Sequence, residues 1–297
     1  MTSPLDFYDR CHYVSVADDV FCVYEGGNMD SNVVLVFLHG CGHTSMSWAL
    51  VARQLKSQFG VMAFDYRGHG ETRCKDQLNL SNETLVDDAV AVILKSVPSS
   101  AFISLVGHSL GGALAVRIAH SEKIKIAGVC VVDVVEGTAI PALVHMPGFL
   151  AQRPKSFESV SEAIDYITHT GTIRSREAAK ISLPYQLCLN PNLHRWEWRT
   201  DLAKSESYWV SWYQGLTEMF VNLKCAKLLV LASTDRMDKD ILICQMQGRL
   251  QVEIVTGCHS IQEDSPQDLS RILNQFIVRN RFSELAAINA KWSAKRP

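Results

Sequence analysis

The chain has 297 residues, is 47% hydrophobic and carries a formal net charge of −2, so it can build a sizeable core and shows no basic stripe for nucleic acid. Its apolar runs are strand-length, short of the ~18 residues of a membrane helix, and the start, Met1-Thr2-Ser3-Pro4-Leu5-Asp6, lacks a secretory signal's basic-then-apolar pattern. Nine scattered cysteines without a C-x-x-C pair predict free thiols and an intracellular setting, cytoplasmic or nuclear, rather than a disulfide framework or zinc site.

Strand-like and helix-like segments alternate along the chain, which predicts an α/β fold with a mostly parallel sheet covered on both faces. Val20 to Glu25 reads as an early antiparallel strand, Val33 to Leu38 as a buried strand, and Trp48 to Lys56 as a helix. Val61 to Asp65 is the next strand, followed by the polar turn Tyr66-Arg67-Gly68-His69-Gly70. Ser81 or Asn82 caps a helix reaching Ser96, with Pro98 marking its stop. The sequons at Asn79 and Asn82 are read as chance matches. Phe102 to Val106 is a strand, Leu110 to His120 a helix, and Ala127 to Val132 a strand. From Glu136 to Val221 the alternation breaks into what reads as several helices. It resumes with strands over Lys227 to Ala232 and Leu250 to Val255 and a final helix from Gln267 to Asn280. The expected organisation is a core of residues 1–135 and 222–297 with a helical cap inserted over 136–221. Four of the six tryptophans, Trp196, Trp198, Trp209 and Trp212, fall in that insertion, where they either line a pocket or form the cap's own core.

The most informative stretch is Gly107-His108-Ser109-Leu110-Gly111, a G-x-S-x-G between a strand and a helix. That is the context of a nucleophile elbow, in which a sharp turn lifts a serine hydroxyl above the sheet. Gly107, Gly111 and Gly112 supply the small neighbours such a turn needs. A second loop, His39-Gly40-Cys41-Gly42-His43, ends the strand Val33–Leu38. An H-G-x-G loop there can turn a backbone N–H toward the nucleophile. Two such donors, expected at Cys41 and Leu110, would hold the negative oxygen of a tetrahedral intermediate, each worth ~10²–10³ in rate. A serine also needs a base. His259 follows the last strand and is the one histidine that comes after the serine and both candidate acids in the chain. Two acids compete to orient it: Asp133, ending one strand, and Asp235, ending the next with Asp238 close behind. Fold-level habit favours Asp235, and spacing does not decide.

Taken together, the motifs resemble those of the protein phosphatase methylesterases, serine hydrolases of the α/β-hydrolase fold. The matching stretches are His39 to His43 with Ser47-Trp48, Arg67 to Thr72, and Gly107 to Gly112. More particular to that family are Val132-Asp133-Val134-Val135-Glu136-Gly137-Thr138-Ala139, Gly148 to Leu150 with Arg153-Pro154-Lys155, Asp235 to Asp240, Gln245 to Gly248, and His259 with Glu263-Asp264. The likeness covers nearly the whole chain. It implies Ser109 as nucleophile, His259 as base and Asp133, not Asp235, as acid, with no metal or organic cofactor. The implied partner and substrate is the protein phosphatase 2A catalytic subunit, methylated on its carboxyl-terminal leucine. Two other classes remain to be weighed: a small-molecule carboxylesterase or lipase of the same fold, and a non-catalytic phosphatase-binding protein. Against the family pattern, Leu189-Asn190-Pro191-Asn192-Leu193 briefly bridges a region where some relatives carry a long acidic insertion. Cys41 replaces a common glycine, which predicts that a thiol reagent slows the enzyme through Cys41.

Overall fold

The computed structural model describes residues 2–284. Strands β1 (Arg10–Val16) and β2 (Asp19–Gly26) form a hairpin with Val14 opposite Phe21. β3 (Val33–Leu38), helix α1 (Ala49–Leu55), β4 (Gly60–Phe64), α2 (Asn82–Ser96), β5 (Phe102–His108), α3 (Leu110–His120) and β6 (Ile126–Val132) follow. The next segment contains α4 (Glu136–Ala142), α5 (Met146–Gln152), β7 (Ser156–Phe157), α6 (Val160–His169), α7 (Arg176–Gln186), β8 (Leu187–Asn190), β9 (Arg195–Trp198), α8 (Trp209–Tyr213) and α9 (Leu216–Asn222). The chain ends its described part with β10 (Ala226–Leu231), α10 (Lys239–Met246), β11 (Gln251–Ile254), α11 (Ile261–Asp264) and α12 (Pro266–Arg279).

The main sheet has the order β1-β2-β4-β3-β5-β6-β10-β11. β1 and β2 pair antiparallel, as do β2 and β4, and the remaining neighbours are parallel. The expected mostly parallel α/β sheet is therefore what the chain forms. β3 shows why its sequence is apolar at every position rather than alternating: Val34, Val36 and Leu38 join the core on one face, and Val33, Leu35 and Phe37 the core on the other. Helices α2, α3, α8 and α9 cover the first face, and α1, α6, α7 and α12 the second. On the second face Phe37 stacks on the fully buried Trp48, ring centroids 5.0 Å apart.

Three details depart from the sequence reading. β1 was not anticipated; it is the sheet's edge, its residues exposed or half-buried, so it carries little apolar signal. The segment between β6 and β10 is not purely helical, because β7, β9 and β8 form a small antiparallel sheet in which Phe157 pairs with Trp196. The turn from Pro191 to His194 closes the β8–β9 hairpin of that sheet. Finally, Ser81 and not Asn82 caps α2: its hydroxyl accepts from the Thr84 N–H, while the Asn82 side-chain amide donates to the Ser211 carbonyl at 2.7 Å.

Candidate active site

Ser109 lies at the junction of β5 and α3 with φ 53° and ψ −118°, a conformation L-residues rarely adopt. The surroundings force it. The Ser109 N–H donates to the Val132 carbonyl at 3.0 Å, and Gly112 and Ala113 N–H groups donate back to the Ser109 carbonyl at 2.9 and 3.2 Å. A Cβ at Gly107 would fall 2.0 Å from the Gly111 carbonyl oxygen, and one at Gly111 would fall 2.2 Å from that of Leu38. The two glycines thus permit β5, α3 and the end of β3 to meet. Leu110 opens α3, so its N–H has no helical acceptor one turn back and faces out at the positive end of the helix.

Two buried histidines shape the loop after β3. The Tyr66 N–H donates to His39 Nε2 at 3.1 Å, which makes Nε2 an acceptor and places the ring proton on Nδ1, donated to the Gly40 carbonyl at 2.8 Å. His69 repeats the device: Nε2 accepts from the Gly42 N–H at 2.9 Å and Nδ1 donates to the Arg67 carbonyl at 2.9 Å. Both rings are neutral, because burial holds His39 well below the usual imidazole range and pushes His69 down to about 4. The turn from Tyr66 to Gly70 is thereby tied to the Gly40–Gly42 loop. Next to the engaged Gly42 amide, the Cys41 N–H donates no hydrogen bond among the described residues.

At the C-terminal end of β6 stands Asp133, its side chain fully buried and its backbone, like that of Ser109, in the left-handed region with φ 55°. Its Oδ1 accepts from the Ala232 N–H at 2.9 Å, and its Oδ2 accepts from His259 Nδ1 at 2.8 Å. That contact puts the His259 proton on Nδ1 and leaves Nε2 as a lone-pair base at the cavity, on a half-exposed ring. His108 holds the same loop from behind, donating from Nε2 to the His259 carbonyl at 2.9 Å. Asp235 sits in the short turn Thr234–Arg236, exposed, at the cavity's edge and without a hydrogen bond to His259 among the described residues. Its neighbour Arg236 is the residue sequence reasoning missed, since Arg236 pairs with the same Asp133 Oδ2 that holds His259. Nothing in the local sequence marks Arg236, one position past the rival acid Asp235, as a partner of Asp133.

Ser109, Cys41, His259 and Asp133 all line one cavity of about 710 Å³ between the strand ends and the segment from α4 to α8. The Tyr213 phenol lies against the Ser109 hydroxyl, and burial pushes it up to about 12, so it stays protonated. No hydrogen bond joins Ser109 to the His259 ring among the described residues; catalytic contacts of this kind commonly tighten only when substrate is bound. The tryptophans divide between the two roles considered. Trp209 and Trp212 line the cavity and also belong to the core beneath it, whereas Trp196 and Trp198 pack in the small sheet. The Cys41 thiol lies beside Ser205, and burial pushes it up to about 12. At neutral pH almost none is thiolate, the species that reacts, which removes the basis for expecting ready inhibition by thiol reagents.

Residues 35–272 match the family model described as "Alpha/beta hydrolase family". The chain is 39% identical to "Probable protein phosphatase methylesterase 1" of Caenorhabditis elegans over 94% of its own length and 78% of the relative's. It is 35% identical to "Protein phosphatase methylesterase 1" of Bos taurus, over 90% of this chain and 82% of that one. The chain belongs to the protein phosphatase methylesterase 1 family. Among solved structures it superposes on E-2-(acetamidomethylene)succinate hydrolase with a TM-score of 0.76 at 20% identity, covering 90% of this chain and 98% of that one, a likeness of fold. As a member of the methylesterase family the chain is an esterase.

Two of the stretches on which the resemblance rests have tasks in this geometry. In the run Val132–Ala139, Asp133 reaches His259, and three residues on Glu136 accepts from the Gly215 and Thr217 N–H groups at 2.8 and 3.0 Å. Glu136 thus pins the N-terminus of α9, just after Tyr213, to α4. The Glu263-Asp264 pair works on the other wall. Glu263 is buried, accepts from the Ser182 hydroxyl, and faces His43 Nδ1 at 3.5 Å. Asp264 accepts from the Arg174 and Ser175 N–H groups at 2.8 and 3.0 Å.

Proposed function

We propose that this protein removes the methyl ester from the carboxyl-terminal leucine of the protein phosphatase 2A catalytic subunit. The observation that carries the reading is the 2.8 Å contact between His259 Nδ1 and Asp133 Oδ2 at the cavity that Ser109 also lines. Family membership supports the substrate. Ser109 Oγ attacks the ester carbonyl carbon as its proton passes to His259 Nε2. The carbonyl oxygen becomes an oxyanion and accepts from the Cys41 and Leu110 N–H groups. Collapse breaks the bond to the methoxy oxygen, which takes the proton from His259 and leaves as methanol. A water then loses a proton to His259 and attacks the acyl-enzyme, freeing the leucine carboxylate and restoring Ser109. Asp133 keeps the imidazole in the required tautomer and stabilises the imidazolium.

Residues 136–221 act in this reading as a cap over a core made of 1–135 and 222–297. The leucine side chain and the residues before it would lie among Met146, Phe149, Trp209 and Tyr213, which line the apolar part of the cavity. The test is preference. Demethylation of the carboxyl-methylated phosphatase should exceed hydrolysis of short acyl esters, compared as kcat/KM. Faster turnover of the short esters with little methyl release from the phosphatase would replace this reading with a small-molecule carboxylesterase.

A further inference from the structure

The cavity holds two arginines in different situations. Arg236 has its counter-charge in Asp133. Arg153, in the turn between α5 and β7, has none: among the described residues no carboxylate pairs with it and no hydrogen bond uses its guanidinium. Its environment is built rather than loose. The guanidinium lies over the Trp198 ring, 3.3 Å from the centroid. That ring is locked in turn, because Trp198 Nε1 donates to the Pro154 carbonyl at 2.8 Å and Phe157 meets it edge-on with centroids 5.4 Å apart. Stacking uses the guanidinium's face and leaves the N–H groups of its edge toward the cavity, which Arg153 lines together with Ser109 and His259. Burial pushes Arg153 down to about 10, so it stays charged at neutral pH at a real cost in desolvation. An unpaired, half-buried cation held rigidly at the wall of a largely apolar cavity is a site prepared for an anion.

We propose that Arg153 is a specificity-determining residue that binds a side-chain carboxylate of the substrate peptide, upstream of the esterified leucine. The inference rests on the proposed function and adds what kind of peptide the site selects. The chemistry of the ester decides where the anion must come from. Methylation removes the charge of the terminal carboxyl, so in the reacting complex the terminus offers Arg153 only a neutral oxygen. A guanidinium pairs most strongly with a carboxylate, in a two-pronged contact. An aspartate or glutamate one to a few residues before the leucine supplies it.

The test uses hexapeptides ending in leucine methyl ester, with one glutamate walked through the four positions before the leucine and glutamine at that position as control. Methanol release gives kcat/KM for each pair. Wild type should favour glutamate over glutamine by about tenfold or more at one position, through KM. Arg153→Gln should bring that ratio to about one, and Arg153→Glu should favour a lysine peptide instead. Arg153→Lys, which keeps charge but loses the stacked fork, should fall between, and thermal melts verify that each variant is folded. Equal ratios in wild type and Arg153→Gln, with both peptides hydrolysed, would overturn the inference and leave the proposed function standing. A loss shared equally by glutamate and glutamine peptides would likewise overturn it, because Arg153 would then serve only the cavity's shape. Weaker product inhibition by the free leucine acid in Arg153→Gln, with no change in the glutamate ratio, would assign Arg153 to the product instead and also overturn it. If wild type hydrolyses none of the peptides or the methylated phosphatase, while Ser109 still reacts with a fluorophosphonate, the proposed function itself falls.

Discussion

Ser109 and Asp133 hold left-handed backbones at φ 53° and 55°, and neither is glycine. Such conformations cost roughly 1–3 kcal/mol each and persist where the surroundings over-determine them. Here both strained residues end adjacent parallel strands and face one cavity. The strain of Ser109 was legible, because glycines at 107 and 111 around a serine between strand and helix have few other uses. The choice of acid was legible only through the family resemblance, which implied Asp133, and not from local spacing. Asp133 and Asp235 both follow strand-like runs, and what separates them in the structure is which carboxylate meets His259, for Asp133 across 126 residues of sequence. Asp133→Asn is therefore expected to lower kcat by about 10⁴, on the precedent of the analogous change in a serine protease, while Asp235→Asn stays within about twofold. Equal losses in the two variants would contradict the pairing. For Cys41, a half-buried thiol pushed up to about 12 by desolvation predicts negligible alkylation by iodoacetamide at pH 7 and clear reaction only as the pH approaches about 12 or the chain unfolds. Mass spectrometry of the labelled peptide reads this directly.

The elements that position the site depend on close backbone approach at Gly111. Gly111→Ala would drive a methyl into the Leu38 carbonyl, 2.2 Å from its oxygen before relaxation. Separating β3 from α3 moves the Cys41 amide away from Ser109, so the variant should lose about 1–3 kcal/mol of stability and most of its turnover. Gly148→Ala in α5 is the matched control: nothing lies within 4 Å of its new methyl, and stability should change by no more than about 0.5 kcal/mol. Elements with strong apolar runs or clear caps, such as β3, β5, α2 and α12, could be placed from the sequence because burial on both faces, or a capping serine, is written locally. β1 and the small sheet of β7, β8 and β9 could not. Their strands are short or edge-exposed, and their pairing is decided by tertiary contacts such as Phe157 against Trp196 and Trp198. The histidines at 39, 69 and 108 were likewise invisible as a set, because each works through a backbone group far away in sequence.

Across the whole molecule, His39, His69 and His108 are buried and neutral behind the active-site loops. The folded His69 titrates at about 4 against an ordinary value of 6.5. Above pH 6.5 both folded and unfolded forms are neutral and its full contribution to stability is present. Below that, the unfolded chain takes up the proton first, so stability falls as the pH drops through this window toward about 4. Thermal melts should show Tm falling over this range, with a shallower slope in His69→Gln; identical slopes would remove His69 from the account. The same loops carry the chemistry, and the most direct measurement of that chemistry is methanol release from carboxyl-methylated phosphatase 2A catalytic subunit by wild type and by Ser109→Ala. The account predicts release by wild type and a rate reduced at least about 10⁴-fold in a folded Ser109→Ala. Release by Ser109→Ala at the wild-type rate would contradict it.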